Sequence, residues 1–179
     1  MNLGEMKQKV YSLIEEYNED EENLTEDEDL ATKMNSVVNQ IQNEMARFKK
    51  IPAYKTIQVK EGQEMNTTDI DADLYQLNII KGIDYDVIND LVIFNEEGTA
   101  KVYYYKYPTQ IKEDTPDTFT FELSTDVLEI MPYGIAGDLL KSDVSSNYGA
   151  VYTARYREMI KELDPRYSLG TAFIEGGIK

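Results

Sequence analysis

Helical spacing of apolar residues marks the first part of the chain. Steps of three and four residues predict an amphipathic helix over residues 3–17 and a longer one over residues 26–50. Thr25 and Glu28 match a capping box at the start of the second helix, and Ile51-Pro52 ends it. The apolar positions of the two helices are Met6, Val10, Leu13, Ile14 and Tyr17, then Leu30, Met34, Val37, Val38, Ile41, Met45 and Phe48.

The apolar pattern changes from helical to alternating in the middle of the chain. Short runs rich in β-branched and aromatic residues predict an antiparallel β region over residues 53–122. Within it, a short loop containing Gly98 separates residues 91–94 from residues 99–107, which predicts a hairpin. Residues 118–122 alternate cleanly and predict a last strand.

Helical spacing returns after the β region. It predicts helices over residues 125–142 and 147–163, with Pro132 either kinking the first or restarting it. Residues 165–179 hold three glycines and have no helical spacing, which predicts an extended arm. The predicted fold class is α+β, with the N- and C-terminal helices packed as a small helical bundle, an inserted antiparallel β region and an extended C-terminal arm. We expect one domain over residues 1–164 and the arm after it.

The charge of the chain is strongly negative and unevenly distributed. Thirty-four acids against eighteen bases give a net charge of −16, which disfavours tight binding to a phosphate backbone. Residues 1–30 carry eleven of the acids and only two bases. Residues 15–29 hold ten acids and no base, and a like-charge run of this kind is usually solvated.

Missing residue types exclude several kinds of chemistry. The chain has no His, Cys or Trp, so disulfides, zinc or haem held by thiolate or imidazole, Cys nucleophiles and Ser-His-Asp triads are excluded. No apolar run is long enough to cross a membrane, and the first residues do not resemble a signal peptide. We therefore expect a protein made in a cytoplasm, with no membrane association.

Two motifs look at first like ligand sites and fit ordinary structure better. Asp69, Asp71 and Asp73 resemble the opening of a calcium loop, but Leu74 and Ile80 stand where the loop needs Gly and a bidentate Glu. Residues 134–137 contain two glycines but lack the Lys of a phosphate-binding loop, so close helix packing explains them better. We predict no metal site, no cofactor and no catalytic residues.

Tyrosines provide a candidate interaction site. Tyr103, Tyr105 and Tyr107 fall on one face of a predicted strand, while Val102 and Tyr104 fall on the other. Such a strand can line a small core, or it can present its tyrosine face to another protein, because Tyr combines apolar area with a hydroxyl group.

The C-terminal arm is the second candidate interaction site. It is extended, rich in glycine and without a core of its own, and we favour its docking on a partner. The arm residues assigned to this contact are Tyr167, Leu169, Phe173, Ile174 and Ile178.

Several segments resemble the head-to-tail adaptor (head-completion or connector) proteins of tailed bacteriophages. They are FKKIP at residues 48–52, KVYYYKYP at 101–108, LEIMPYGIAGDLL at 128–140 and NYGAVYTARY at 147–156. The order of helices and strands is similar over nearly the whole chain. The length of the acidic run at residues 15–29 departs from the family pattern.

The resemblance implies a structural virion protein rather than an enzyme. The members of this family form a ring, usually of twelve copies, that docks beneath the portal, carries later neck or tail proteins and lets DNA pass without specific binding. Residues 148–163 would then form part of the ring wall, and the C-terminal arm would contact the portal. The tyrosine face would meet a neighbouring subunit or a neck protein. Assembly would take place in the cytoplasm of the bacterial host, at the head–tail interface of the virion.

Two other functions are compatible with the composition. One is a small acidic hydrolase that uses a pair of Asp or Glu side chains, although no pair stands out among so many surface acids. The other is an acidic regulatory or DNA-mimic module that binds through residues 15–29.

Overall fold

Helices come from both ends of the chain and strands come from its middle. The computed structural model describes residues 1–15, 28–142 and 147–163. In chain order the elements are α1 (Leu3–Glu15), α2 (Glu28–Phe48), β1 (Ile51–Val59), β2 (Gln63–Asn66), α3 (Thr67–Ile70), β3 (Leu74–Lys81), β4 (Tyr85–Ile88), β5 (Leu91–Phe94), β6 (Gly98–Lys106), α4 (Thr125–Leu128), α5 (Met131–Leu139), a 3-10 turn (Leu140–Ser142) and α6 (Tyr148–Leu163).

The chain divides into two compact units, and the fold is mixed α+β. Met1–Gln42 and Ile111–Lys179 make up the helical unit, and Asn43–Gln110 make up the sheet unit. The predicted α+β class is confirmed at this level. The chain enters the sheet unit inside α2 and returns to the helical unit just after Gln110.

In the helical unit, α5 packs against both α1 and α6. A reciprocal cap starts α1: the Asn2 backbone N–H donates to Glu5 Oε2 at 2.9 Å, and the Glu5 N–H donates to Asn2 Oδ1 at 2.8 Å. Of the residues of α1 predicted to face a core, Met6, Val10 and Ile14 are fully buried, while Leu13 is half-buried. The capping box predicted at Thr25 and the end of the first predicted helix, residues 16–17, lie outside the described residues.

Pro132 divides the helix predicted over residues 125–142. The chain forms α4, breaks at Ile130, and restarts as α5 with Pro132 in its first turn. A proline is tolerated there because the first helical N–H groups have no intrahelical acceptor. The alternative that Pro132 restarts the helix is therefore correct.

The two glycines of α5 allow close approach of α6. A Cβ on Gly137 would lie 2.7 Å from Thr153 Oγ1 and 2.9 Å from the Thr153 backbone nitrogen. A Cβ on Gly134 would lie 2.8 Å from the Tyr156 ring. Residues 134–137 thus serve helix packing, as the sequence indicates.

The sheet unit contains two antiparallel three-stranded sheets, ordered β1-β6-β3 and β2-β5-β4. Its core is a cluster to which both sheets and α3 contribute. In β6 the period of two is complete: Ala100, Val102 and Tyr104 are buried in that cluster, and the residues between them are not. The buried members are Val59, Ile70, Leu74, Ile80, Val92, Phe94, Ala100, Val102 and Tyr104.

The hairpin predicted from residues 91–94 and 99–107 is wrong. β5 pairs with β2 and β4, whereas β6 pairs with β1 and β3, so the short loop between them connects two different sheets. The hairpin partner of β5 is β4, which precedes it across Asn89. That residue adopts φ 57°, a left-handed conformation that Asn tolerates and tight hairpin turns use.

The strand predicted at residues 118–122 is also wrong, and strands of the described chain end at Lys106. Thr120 makes only an isolated bridge to Asn2. The carbonyls of Asp117 and Phe119 accept hydrogen bonds from Gly4 N–H and Leu3 N–H, both at 2.9 Å. These N–H groups are free because they begin α1, so the alternating segment caps a helix instead of joining a sheet.

Candidate interaction surface

The outer face of the β1-β6-β3 sheet carries the tyrosines that the sequence singles out. Because Val102 and Tyr104 point into the core, Tyr103 and Tyr105 point the other way and are half-buried at the surface. Tyr107 follows directly after β6 and is half-buried as well. The predicted division is confirmed for Val102, Tyr103, Tyr104 and Tyr105, which lie within β6, while the role of the tyrosines as an interface stays a prediction.

Neighbouring strands add aromatic rings to this face. Tyr54 of β1 lies opposite Tyr103 in the strand register, with ring centroids 6.0 Å apart. Tyr75 of β3 packs against Tyr107 at 5.1 Å. Tyr54 is 63% exposed, which is high for a large aromatic side chain on a sheet. Aromatic area at the surface, with hydroxyl groups attached, is characteristic of protein interfaces.

Three lysines lie over these rings. Lys101 Nζ is 4.3 Å from the Tyr54 ring centroid and 5.2 Å from that of Tyr103. Lys81 Nζ is 5.4 Å from the Tyr103 centroid, and Lys50 Nζ is 4.8 Å from that of Tyr105. These distances fit cation–π contacts, which hold an ammonium group at the surface without neutralising it. The surface formed by Lys50, Tyr54, Lys81, Lys101, Tyr103 and Tyr105 is called here the tyrosine–lysine face.

Within the described strands β1 and β6, this face carries no acidic side chain, although the chain is rich in them. Outward positions of β1 and β6 alternate with core positions, and none of them holds Asp or Glu. The face is therefore locally positive in a chain of net charge −16. The outward residues are Pro52, Tyr54, Thr56 and Gln58 on β1, with Thr99, Lys101, Tyr103 and Tyr105 on β6.

The opposite face of the same sheet holds a polar cluster of Tyr104, Asp71 and Lys55. Burial raises the pKa of Tyr104 to about 12, helped by its hydrogen bond to Asp71 and by the charges of Asp71 and Asp73. The hydrogen bond from the Asp73 N–H, 3.1 Å from Asp71 Oδ1, is the main cause that lowers the pKa of Asp71. Lys55 Nζ lies 3.5 Å from Asp71 Oδ2 and donates to the Ile70 carbonyl.

Two of the three carboxylates that resemble a calcium loop, those of Asp69 and Asp71, are used for local structure. Asp69 Oδ2 accepts the Asn66 N–H at 3.3 Å and caps α3. Asp71 belongs to the cluster with Tyr104, as described above. Among the residues that the structure describes, no group of three or more acidic side chains is placed to hold a metal ion.

A second exposed apolar surface lies on α6. Only part of its predicted apolar stripe is buried: Tyr156 and Ile160 are inside, while Tyr148 and Val151 are 46% and 56% exposed. Large apolar side chains that are clustered and exposed mark interaction sites more often than isolated ones do.

The predicted arm residues Tyr167, Leu169, Phe173, Ile174 and Ile178 lie outside the described residues. Four further residues of the tyrosine–lysine face had no predicted role: Lys50, Tyr54, Lys81 and Lys101. Lys101 was detectable, because it stands two positions before Tyr103 and so shares its face. Lys81 and Tyr54 come from strands whose pairing with β6 could not be known from their own patterns.

Comparison with protein-family models finds no match for this chain, and a search of curated proteins finds no relative. Within the described residues, every helix is too short or too polar to span a bilayer.

Proposed function

We propose that this chain is a structural protein of the neck of a tailed bacteriophage. It would form a ring beneath the portal, probing no DNA sequence and catalysing no reaction, and would connect the DNA-filled head to the neck and tail. The proposal includes the finer fold prediction: terminal helices packed as a bundle that forms the ring body, with the C-terminal arm, residues 165–179, docked on the portal.

The observation that carries this proposal is the presence of two different exposed surfaces. A cyclic ring is built from heterologous contacts, in which one patch of each copy meets a different patch of the next. The tyrosine–lysine face lies on the sheet unit, and the Tyr148 and Val151 surface lies on the helical unit. A chain with two unlike exposed patches has the two surfaces that a heterologous contact requires.

The chain layout and the charge support the same proposal. Along the chain, helices precede and follow the segment that forms the sheet unit, which is the element order that the resemblance to adaptor proteins implies. A net charge of −16 per copy disfavours adhesion to DNA, and a conduit must let the duplex slide.

The decisive experiment measures mass in the presence and absence of the portal protein encoded in the same genome. Native mass spectrometry should detect a ring of this chain, about twelve copies, on the portal. A chain that stays monomeric and never joins the portal, even at high concentration, contradicts the proposal. A monomer in the absence of portal is compatible with it, because ring subunits often assemble on a template. The gene should also lie between capsid and tail genes.

Removal of the arm tests its separate role. Deleting residues 165–179 should leave the fold intact and abolish docking on the portal. Circular dichroism checks the fold, and co-sedimentation with portal rings measures docking. Unchanged docking of the truncated chain would refute the assignment of the arm.

A single charge on α6 tests the ring wall. Val151→Asp should prevent ring formation while leaving the monomer folded, because Val151 is 56% exposed and contributes little to the core. Ala150→Asp is the matched control, since it places the same charge one residue away on the same helix, at another exposed position. Equal assembly of the two variants would show that the Tyr148 and Val151 surface does not take part in the ring contact.

A further inference from the structure

The tyrosine–lysine face contains a pair of like charges that the fold itself does not need. Lys81 of β3 lies directly opposite Lys101 of β6 in the strand register. Like charges directly opposite each other on adjacent strands destabilise a sheet. Both ammonium groups also lie over the Tyr103 ring, at 5.4 and 5.2 Å from its centroid, so they share one small region of surface.

No carboxylate compensates this pair within the chain as described. The ion pairs of the described residues leave out both Lys81 and Lys101. Lys50, the third lysine of the face, donates to Gln76 Oε1 at 2.8 Å, a neutral acceptor. The face therefore presents three ammonium groups above tyrosine rings. The ligand that complements it is a peptide segment rich in Asp and Glu that also carries some apolar side chains.

We infer that the tyrosine–lysine face binds the acidic segment, residues 15–29, of a second copy of this chain. This inference rests on the proposed ring and names the charges that join its subunits. The acidic segment holds ten carboxylates and no base, together with Tyr17 and Leu24 as apolar side chains. Such a segment supplies both kinds of contact that the face offers.

Charge balance favours a second copy as the occupant. Two copies that each carry −16 repel each other over most of their surfaces, so an attractive contact must bring a positive region to a negative one. The sheet unit carries eleven acids and eight bases, whereas the rest of the chain carries twenty-three acids and ten bases. A head-to-tail arrangement pairs the less negative unit of one copy with the acidic segment of the next.

The length of the segment is compatible with this contact. The described chain stops at Glu15 and resumes at Glu28, with residues 16–27 between them. A fully extended chain rises about 3.5 Å per residue, so the middle of the segment reaches at most about 20 Å from its two ends. That distance is enough to cross the boundary between touching subunits.

Zero-length carbodiimide cross-linking tests the contact, because it joins an amine to a carboxylate only where the two groups lie within direct reach of each other. Full-length ¹⁵N-labelled and unlabelled chains are mixed, assembled with and without portal, cross-linked and analysed by mass spectrometry. We expect links from Lys81 and Lys101 to carboxylates of residues 15–29 that join a labelled chain to an unlabelled one. Links confined to single chains would overturn the inference.

A triple variant, Lys50→Gln with Lys81→Gln and Lys101→Gln, measures the energetic effect. Three exposed ion pairs together change affinity by about tenfold or more, so the dissociation constant between copies should rise by about that factor. The matched control is Lys33→Gln with Lys60→Gln and Lys161→Gln, which changes the charge equally at exposed positions elsewhere. Equal weakening of both variants shows a non-specific charge effect and overturns the inference.

Two further measurements complete the test. Raising the salt concentration should weaken association of the parent chain more than that of the triple variant, because surface ion pairs are screened. A fluorescent single-stranded oligonucleotide should not bind either protein; binding that requires the three lysines would make nucleic acid the occupant and overturn the inference.

Failure of the inference and failure of the proposed function give different results. If the parent joins the portal and the triple variant joins equally well without these cross-links, the inference fails while the proposed function stands. If the parent never joins the portal, the proposed function fails, and the cross-links formed between free chains at high concentration still decide the contact.

Discussion

The helical unit and the sheet unit differ in the continuity of their chain segments, in their net charge and in how their cores are packed. The helical unit is made from two distant parts of the chain and carries a net charge of −13. Its helices approach closely at glycines, as Gly137 against Thr153 shows. The sheet unit is one continuous segment with a net charge of −3, and its core is a cluster of buried side chains around β5 and β6.

This difference indicates how each unit responds to damage. A continuous segment with its own core can open and close as one cooperative element, whereas a discontinuous unit depends on contacts between remote parts of the chain. The sheet unit, which has the smaller net charge, also carries the tyrosine–lysine face. A second copy of this acidic chain is therefore repelled least at the sheet unit. The predictions below test this contrast.

Loss of the Phe94 ring should have the largest effect. Phe94 is fully buried in β5, and Phe→Ala in a core costs about 3–5 kcal/mol. Phe94→Ala should therefore destabilise the sheet unit and accelerate amide exchange across residues 51–106, while α1, α5 and α6 keep their protection. Hydrogen exchange with mass spectrometry measures both. Phe48→Ala is the control with the same chemical change at a side chain that is 42% exposed. Uniform loss of protection in both units would show that they unfold as one.

Gly137→Val should have the converse effect. The added side chain would meet the Thr153 backbone nitrogen, which lies 2.9 Å from an ideal Cβ, and α6 would have to move. Overpacking of this kind costs about 1–3 kcal/mol. We expect faster exchange in α5 and α6 and unchanged protection in the strands. Val has a higher helix propensity than Gly, so propensity does not oppose this substitution, and Ala154→Val, at an exposed position of α6, measures the effect of a helical Val outside close packing. A Gly137→Val chain as stable as this control contradicts the close packing.

Tyr104→Phe should have a smaller effect that depends on pH. At neutral pH the variant loses one buried hydrogen bond to Asp71, which contributes about 1 kcal/mol. The pKa of Tyr104 is raised from 10.0 to about 12 in the folded chain, so its ionisation favours unfolding once the pH exceeds 10. The parent should therefore lose stability between pH 10 and 12, and Tyr104→Phe should lose less over the same range. Urea titrations at each pH measure this.

The pKa of Asp71 acts at the other end of the scale. It lies below 3.8 in the folded chain, so its contribution is present above that pH and is lost as the pH falls further. Asp71→Asn should remove that loss and should also reduce the effect of Tyr104→Phe. Additive effects of the two substitutions would contradict the Tyr104–Asp71 hydrogen bond.

Lys81→Gln should have the smallest effect, and it should be stabilising. Relief of the repulsion with Lys101 raises the free energy of unfolding by up to about 0.5 kcal/mol at low salt. Lys60→Gln, at an exposed position in the same unit, serves as the reference because it changes the net charge equally. High salt should remove the difference between the two variants. Destabilisation relative to Lys60→Gln would show that the Lys81 contact with Tyr103 outweighs the repulsion.

The periodic elements were predictable because burial on one side imposes a period. α1, α2 and α6 follow helical patterns in which core residues such as Met34 and Val38 recur at four-residue steps. β6 was predictable from the alternation of Val102 and Tyr104 with Tyr103 and Tyr105, which also placed these two tyrosines of the candidate surface correctly.

Pairing partners were not predictable, because alternation states which face a residue occupies and not which strand lies beside it. Residues 91–94 and 98–106 are close in sequence, yet the left-handed turn at Asn89 pairs β5 with the preceding strand instead. The lysines of the candidate surface come together only through the registers of β3 and β1 on β6. Residues 118–122 were misassigned because the carbonyls of Phe119 and of the neighbouring Asp117 satisfy the first N–H groups of α1, a contact more than a hundred residues distant in sequence.

Three consecutive tyrosines in β6, residues 103–105, do not by themselves determine which side of the strand faces the core. If β6 slipped by one residue, Tyr103 and Tyr105 would replace Tyr104 on the inner side, and tyrosine would still occupy the position. The step from Lys101 to Val102 resolves the ambiguity, because the same slip would bury an unpaired ammonium group and expose a valine. Lys101, which we assign to a subunit contact, therefore also helps to define the register of β6. With a neutral polar residue at position 101 the register of β6 would still be favoured, because the slip would expose Val102, which is fully buried in the fold.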